Sequence, residues 1–258
     1  MKHPEKRFLG QTQFSDGLIE GIEKATKNAP PHPYTIDNMP DSMVPYLFDV
    51  DNYFYKAFLL EVDGLRIVVP EPDPILVYFD SGYANFRELE HRRPDLVKKL
   101  IATANKESGP PIVEMFSFFN VVSAFAIYLC TAVEATMNRA IPRDYTYKKP
   151  NGTRVYDKPH IERYFRAEEK LNNVLKEITN KRFEESYPND FKLIQELEQF
   201  RNDIVHTKEI AVGTEPAKHN FTRALQIDYK NTIEAVKSFC NFYIGGEFIV
   251  DCPCPNPA

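Results

Sequence analysis

The side chains best suited to chemistry lie in one short run, Arg201-Asn202-Asp203-Ile204-Val205-His206. It gathers a permanent cation, a carboxamide and an imidazole at the end of an amphipathic helical pattern. Asn202 and His206 are four residues apart and share a helix face. Arg201 and His206 are five apart, about 140° on an ideal helix, a gap that a long guanidinium arm can close. An imidazole moves protons near neutral pH. A guanidinium holds a phosphate through two hydrogen bonds and stabilises its growing charge. Together they suit metal-free cleavage of RNA, in which the substrate's own 2′-hydroxyl is the nucleophile and no Ser or Cys is needed. The same trio could equally form a polar network that ties helices together. A second Arg–His pair, Arg154 and His160, spans Pro159 in an irregular stretch.

The rest of the chain offers little competing chemistry. Its six His form no HExxH and no zinc-spaced pair with Cys, and no glycine-rich phosphate loop or Gly-x-Ser-x-Gly elbow occurs. No metal site and no cofactor are expected. The four cysteines are too few and too scattered for a disulfide framework; Cys130 and Cys240 lie in apolar helical patterns and read as buried thiols. The net charge of −5 argues against a protein that coats nucleic acid non-specifically but leaves room for a local basic patch. Residues 143–166 supply one. Lys148, Lys149, Arg154, Lys158 and Arg163 alternate there with Tyr147 and Tyr156, cations for phosphates and aromatic faces for bases. These seven are the candidate RNA-binding residues. The alternative is a solvated loop whose tyrosines pack on the bundle.

The elements that must position these groups are mostly helices. A hydrophobic share of 43% with 27% charged residues describes a globular chain. Residues 1–110 read as a small α+β region of unassigned role, and 111–258 as a helical bundle, divided at Ser108-Gly109-Pro110-Pro111. In the first region, Asp63-Gly64 between Tyr53–Val62 and Leu65–Val69 is a β-hairpin signal. Ile75–Phe79 is expected to add a strand, and Tyr83–Lys106 a helix interrupted before Pro94. In the second region, four helices are expected: Ile112–Ala140, Pro159 to about Ile178, Asn189 to Val205, and Thr222–Ile244, the last stopped by Gly245-Gly246. Met115–Val133 carries no charge and is near bilayer-spanning length, but its flanks are Glu114 and Glu134 rather than Lys or Arg. It is expected to be a buried bundle helix, and a membrane location is not expected. Met1–Gln13 lacks the apolar core of a signal peptide, so a cytoplasmic location is expected.

Arg201-Asn202 followed by His206, on the third helix of an all-α bundle, resembles the motif of the HEPN superfamily (higher eukaryotes and prokaryotes nucleotide-binding). The end of the first helix, Ala132-Val133-Glu134-Ala135-Thr136-Met137-Asn138, is similar to that family's acidic residue followed four later by Asn. The resemblance covers about residues 112–246. It implies a HEPN-like four-helix bundle, and a homodimer whose two motifs face one composite site. It further implies a metal-independent endoribonuclease of single-stranded RNA, of the kind found in toxin–antitoxin and phage-defence systems, with an antitoxin or other partner protein. On this resemblance His206 would be the acid/base, Arg201 the phosphate ligand, and Asn202 a positioning group. Glu134 would orient Arg201 or His206. Asp203 departs from the expectation, since a carboxylate beside the site would repel phosphate unless it points away. The family also contains non-catalytic members, so a module that binds RNA, a nucleotide or a partner protein is the alternative.

Overall fold

The structure, a computed structural model, describes residues 4, 12–13, 40, 46–48, 53–150, 152–205 and 215–253. Four short strands come first: β1 (Thr12–Gln13), β2 (Tyr46–Phe48), β3 (Tyr53–Val62) and β4 (Leu65–Pro70). Asp63 and Gly64 both take positive φ, 52° and 77°, the pair of left-handed residues that a two-residue hairpin needs. The expected hairpin forms there, with Val62 opposite Leu65 and Leu60 opposite Ile67. β1 and β2 pair antiparallel with β3 on its two opposite edges, both at Phe54. Phe58, Leu60, Val62, Leu65 and Ile67 lie on one face of this ribbon and are exposed.

The next apolar run is a helix, not the expected strand. α1 (Pro74–Ala104) begins where Ile75–Phe79 was read as β. Asp73 caps it, accepting from the amides of Ile75 (3.0 Å) and Leu76 (3.4 Å), and Pro74 fits the first turn, where its missing N–H is no loss. Its buried positions Ile75, Leu76, Phe79, Tyr83, Phe86 and Leu89 keep helical spacing. The expected interruption before Pro94 is absent. Pro94 is exposed, so the Glu90 carbonyl that loses its helical partner faces solvent.

The break at Ser108–Pro111 connects α1 to α2 (Ile112–Ala140), and one hydrophobic core runs through both sides of it, from Ile75 to Ile249. α1 and α2 lie close at Gly82, where a Cβ would fall 2.4 Å from Leu129 Cδ2. α2 is the centre of the bundle: Phe118, Val122, Phe125, Ala126, Leu129 and Ala132 are at most 1% exposed. By length and composition it could cross a membrane, with mean hydropathy 1.8. Its outer side shows Ile112, Val113, Phe116 and Ile127.

After α2 comes a second hairpin, β5 (Thr146–Lys148) with β6 (Val155–Asp157), and then α3 (Lys158–Tyr164). The single helix expected from Pro159 to Ile178 is broken. Phe165 and Arg166 are extended, and Phe165 turns into the core. The chain resumes as α4 (Ala167–Glu169), a π-helical segment (Lys170–Leu175) and α5 (Lys176–Thr179), ending at left-handed Asn180. α6 (Phe183–Ser186) leads into α7 (Pro188–Val205). The expected last helix is also two, α8 (Glu215–Gln226) and α9 (Tyr229–Ile244). Asp228 separates them by capping α9, accepting from the Asn231 amide (3.2 Å). The stop at Gly245-Gly246 is as expected, both residues having positive φ. α1, α2, α7 and α9 are the packed long helices, so α1 takes the place expected of the helix after Pro159.

Candidate functional site

α7 aims its apolar face inward through Ile194, Leu197 and Phe200. Arg201, 100° further round the helix than Phe200, therefore stands at the border between core and solvent and is partly exposed. Its guanidinium stands near the Cys130 thiol of α2 and favours that thiol's charged form. Burial pushes that thiol up to about 12; Arg201 opposes the shift, while Glu198 and Glu134 add to it. Arg201 thus meets α2 on the ridge that carries Cys130, Glu134 and Asn138 at four-residue intervals, one helix face. This is the α2 segment singled out by its sequence.

Glu134 makes its ion pair elsewhere. Among the described residues its partner is Lys170, Nζ to Oε1 at 3.7 Å, rather than Arg201. Lys170 is 1% exposed, and its ammonium also donates to Asn138 Oδ1 (2.8 Å) and to the Glu162 carbonyl (2.9 Å). Burial pushes the Lys170 pKa below its ordinary value, against the opposing pull of Glu134 and Glu162. Glu134 accordingly lies between two cations, Arg201 towards one end of the ridge and Lys170 at the other. Sequence reasoning missed Lys170. A signal was present: Lys170, Val174 and Ile178 recur every four residues, which places this lysine on the apolar stripe.

Asp203 points away from Arg201's side of the helix. It accepts from Gln199 Nε2 (2.8 Å) and pairs with Arg223 of α8, so its charge is matched. Asn202 is half-buried. His206 lies outside the described residues. Among the described residues no three His, Cys, Asp or Glu side chains cluster as metal ligands would.

The basic, aromatic segment forms the β5–β6 hairpin and α3, and its members divide into two sets. Tyr147 is 4% exposed and packs edge-on against Phe165, so it presents no ring face outward. Lys149 pairs with Glu169 at 2.6 Å and sits over the Tyr156 and Phe165 rings. Lys158 donates to the Ile141 carbonyl (2.6 Å) and pairs with Glu162. These three hold the hairpin to the bundle. Lys148, Arg154 and Arg163 are exposed. Arg154 and Arg163 lie over the rings of Tyr156 and Tyr164 respectively. The second Arg–His pair of the sequence meets around Tyr156: the Arg154 guanidinium carbon is 5.2 Å from the ring centroid, and the His160 ring 4.9 Å.

No family model matches the chain, and neither does any curated protein or solved structure.

Proposed function

We propose that this chain is a metal-independent endoribonuclease of HEPN type, acting on single-stranded RNA in the cytoplasm. The observation that carries the reading is the placement of Arg201. It is partly exposed and stands near Cys130 on the α2 ridge that also carries Glu134 and Asn138, and its acidic neighbour Asp203 is neutralised by Arg223. A phosphate approaching Arg201 therefore meets a cation whose neighbour Asp203 is already paired, although Glu198, one turn earlier on the same face, adds a negative charge.

In the proposed reaction the substrate 2′-oxygen attacks the adjacent phosphorus and the bond to the 5′-oxygen breaks. The products are a 2′,3′-cyclic phosphate and a 5′-hydroxyl. His206 takes the proton from the 2′-hydroxyl or returns one to the leaving oxygen, and its twin across a homodimer axis supplies the complementary transfer. Arg201 holds the phosphate and stabilises the charge on its free oxygens. Asn202 positions the RNA or Arg201, and Glu134 steadies the cationic side of the site. The family resemblance adds a toxin–antitoxin or phage-defence role, with an antitoxin or other protein as partner.

The alternative is a non-catalytic HEPN-like module that binds RNA, a nucleotide or a partner protein. It is favoured by two placements, Arg201 near the Cys130 thiol and Glu134 paired with Lys170, which together resemble a structural network. End-group analysis of RNA incubated with the protein in EDTA separates the two. The enzyme leaves new cyclic-phosphate ends that vanish in Arg201→Ala; the module leaves RNA intact.

A further inference from the structure

Asp157 ends β6 and caps α3 by accepting from the His160 amide (3.1 Å). This cap brings Tyr156, the residue before it, alongside the first turn of α3. His160 and Tyr164 follow at four-residue spacing on one helix face. The result is a row of three rings. Tyr156 and His160 have centroids 4.9 Å apart and planes tilted by 31°. His160 and Tyr164 are 4.7 Å apart and tilted by 41°. The guanidinium of Arg154 lies 5.2 Å from the Tyr156 centroid and that of Arg163 lies 5.3 Å from the Tyr164 centroid.

We propose that this row, Tyr156–His160–Tyr164 with Arg154 and Arg163, is a subsite that stacks unpaired bases of single-stranded RNA on the helix tied through Lys170 to the Arg201 ridge. The inference deepens the ribonuclease reading and rests on it for the choice of ligand.

Three observations carry it. Tyr164 is 61% exposed, and among the described residues its ring neighbours are His160 and Arg163 alone. The core does not need this ring, unlike Tyr147 and Phe165, which are buried and fasten the hairpin. Next, residues 143–166 hold seven Lys and Arg against three acids, of which Glu162 is paired with Lys158 and Asp157 caps α3. Arg154 and Arg163 are thus surplus positive charge on a chain whose net charge is −5. Finally, α3, the helix that carries the row, is tied to the candidate site. The Glu162 carbonyl of α3 accepts from Lys170, whose ammonium also meets Asn138 and Glu134 on the ridge that Arg201 touches. Three consecutive rings flanked by two guanidinium planes suit bases, which stack on either, while the guanidinium charge suits the linking phosphates. A lipid surface would ask for aliphatic side chains, and a duplex would hide its base faces.

The test uses the full chain carrying His206→Ala, so that bound RNA stays intact, in EDTA. Fluorescence anisotropy is read with a labelled single-stranded oligouridylate and with an abasic oligomer of equal length and charge. The oligouridylate is expected to bind about tenfold or more tighter than the abasic oligomer, in line with the contribution of a stacked base. Tyr164→Ala should remove most of that difference without weakening abasic binding, and Tyr164→Phe should restore it. Equal binding of the two oligomers, or a difference that survives in both Tyr164→Ala and Tyr156→Ala, overturns the proposal. The ribonuclease reading fails separately. If the chain with His206 intact discriminates bases but never cleaves, the subsite stands and the nuclease falls. If that chain cleaves with a KM untouched by Tyr164→Ala, the subsite falls and the nuclease stands.

Discussion

Replacing Lys170 by Met tests the polar ridge beside Arg201 without emptying the space the side chain fills. Lys170 is 1% exposed, and Met keeps most of its length. Two hydrogen bonds are lost, to Asn138 Oδ1 at 2.8 Å and to the Glu162 carbonyl at 2.9 Å. The carbonyl lies in the last turn of α3, where no helical amide replaces the donor. Orphaning such acceptors costs about 1–3 kcal/mol each when they are fully buried. Asn138 is only half-buried, and removing the ammonium also removes its own desolvation cost, which offsets part of the loss. Glu134 is half-exposed, so its lost ion pair adds little. The net expectation is a loss of about 1–3 kcal/mol near neutral pH, or roughly 2–12 °C in Tm for a chain of this size.

The pH dependence fixes the sign independently. The Lys170 pKa is lowered from 10.5 on folding. Between the lowered value and 10.5 the unfolded chain binds more protons than the folded one, so stability rises with pH. The cost of burying the charge is fully present below that window and is relieved across it. Wild type should therefore gain on Lys170→Met as pH rises towards 10. Circular-dichroism melts of both proteins from pH 7 to 10 measure this. Equal Tm at neutral pH, together with a constant difference above pH 8, would refute a buried, charged Lys170.

Other substitutions probe neighbouring parts of the structure. Gly82→Ala pushes a methyl into Leu129 on α2 and should cost about 1–3 kcal/mol, read by urea unfolding. Cys130 and Cys240, whose thiols burial raises to about 12, should resist an aromatic disulfide reagent at pH 8 until the chain is unfolded; rapid native labelling of either would contradict their placement. Arg223→Gln leaves the Asp203 carboxylate unmatched two residues along α7 from Arg201, so RNA affinity should fall a few-fold and return in the Arg223→Gln, Asp203→Asn double variant. No restoration would detach Asp203 from the site.

Local signals with a single physical reading survived the comparison of sequence and structure. Asp63-Gly64 dictates a tight hairpin because both residues tolerate positive φ, and Gly245-Gly246 ends α9 for the same reason. α2 and α7 were legible because their apolar positions keep one period over many turns. Short apolar runs were not. Ile75–Phe79 is too brief to declare a period, and its helical identity comes from the Asp73 cap and from packing on α2. The breaks at Phe165-Arg166 and Ile227-Asp228 were hidden because the apolar spacing continues across them; burial of Phe165 and capping by Asp228 decide those bends. The candidate site divides similarly. Glu134 and Asn138 share a face by spacing alone, and Arg201 meets the same α2 ridge at Cys130. The cation that Glu134 pairs with, Lys170, shows its burial in its four-residue spacing with Val174 and Ile178, but its pairing with Glu134 is a tertiary contact made from a π-helical segment.

The pairing of Arg201 with His206 is the chemical heart of the proposal, and one comparison addresses it. Wild type and His206→Ala, matched in far-ultraviolet circular dichroism and elution volume, are incubated with a single-stranded RNA in excess chelator. Wild type should cut the RNA to cyclic-phosphate ends while His206→Ala leaves it whole, a drop of at least about a hundredfold for loss of an acid/base group. Intact RNA with both proteins, or equal cutting by both, would contradict the assignment.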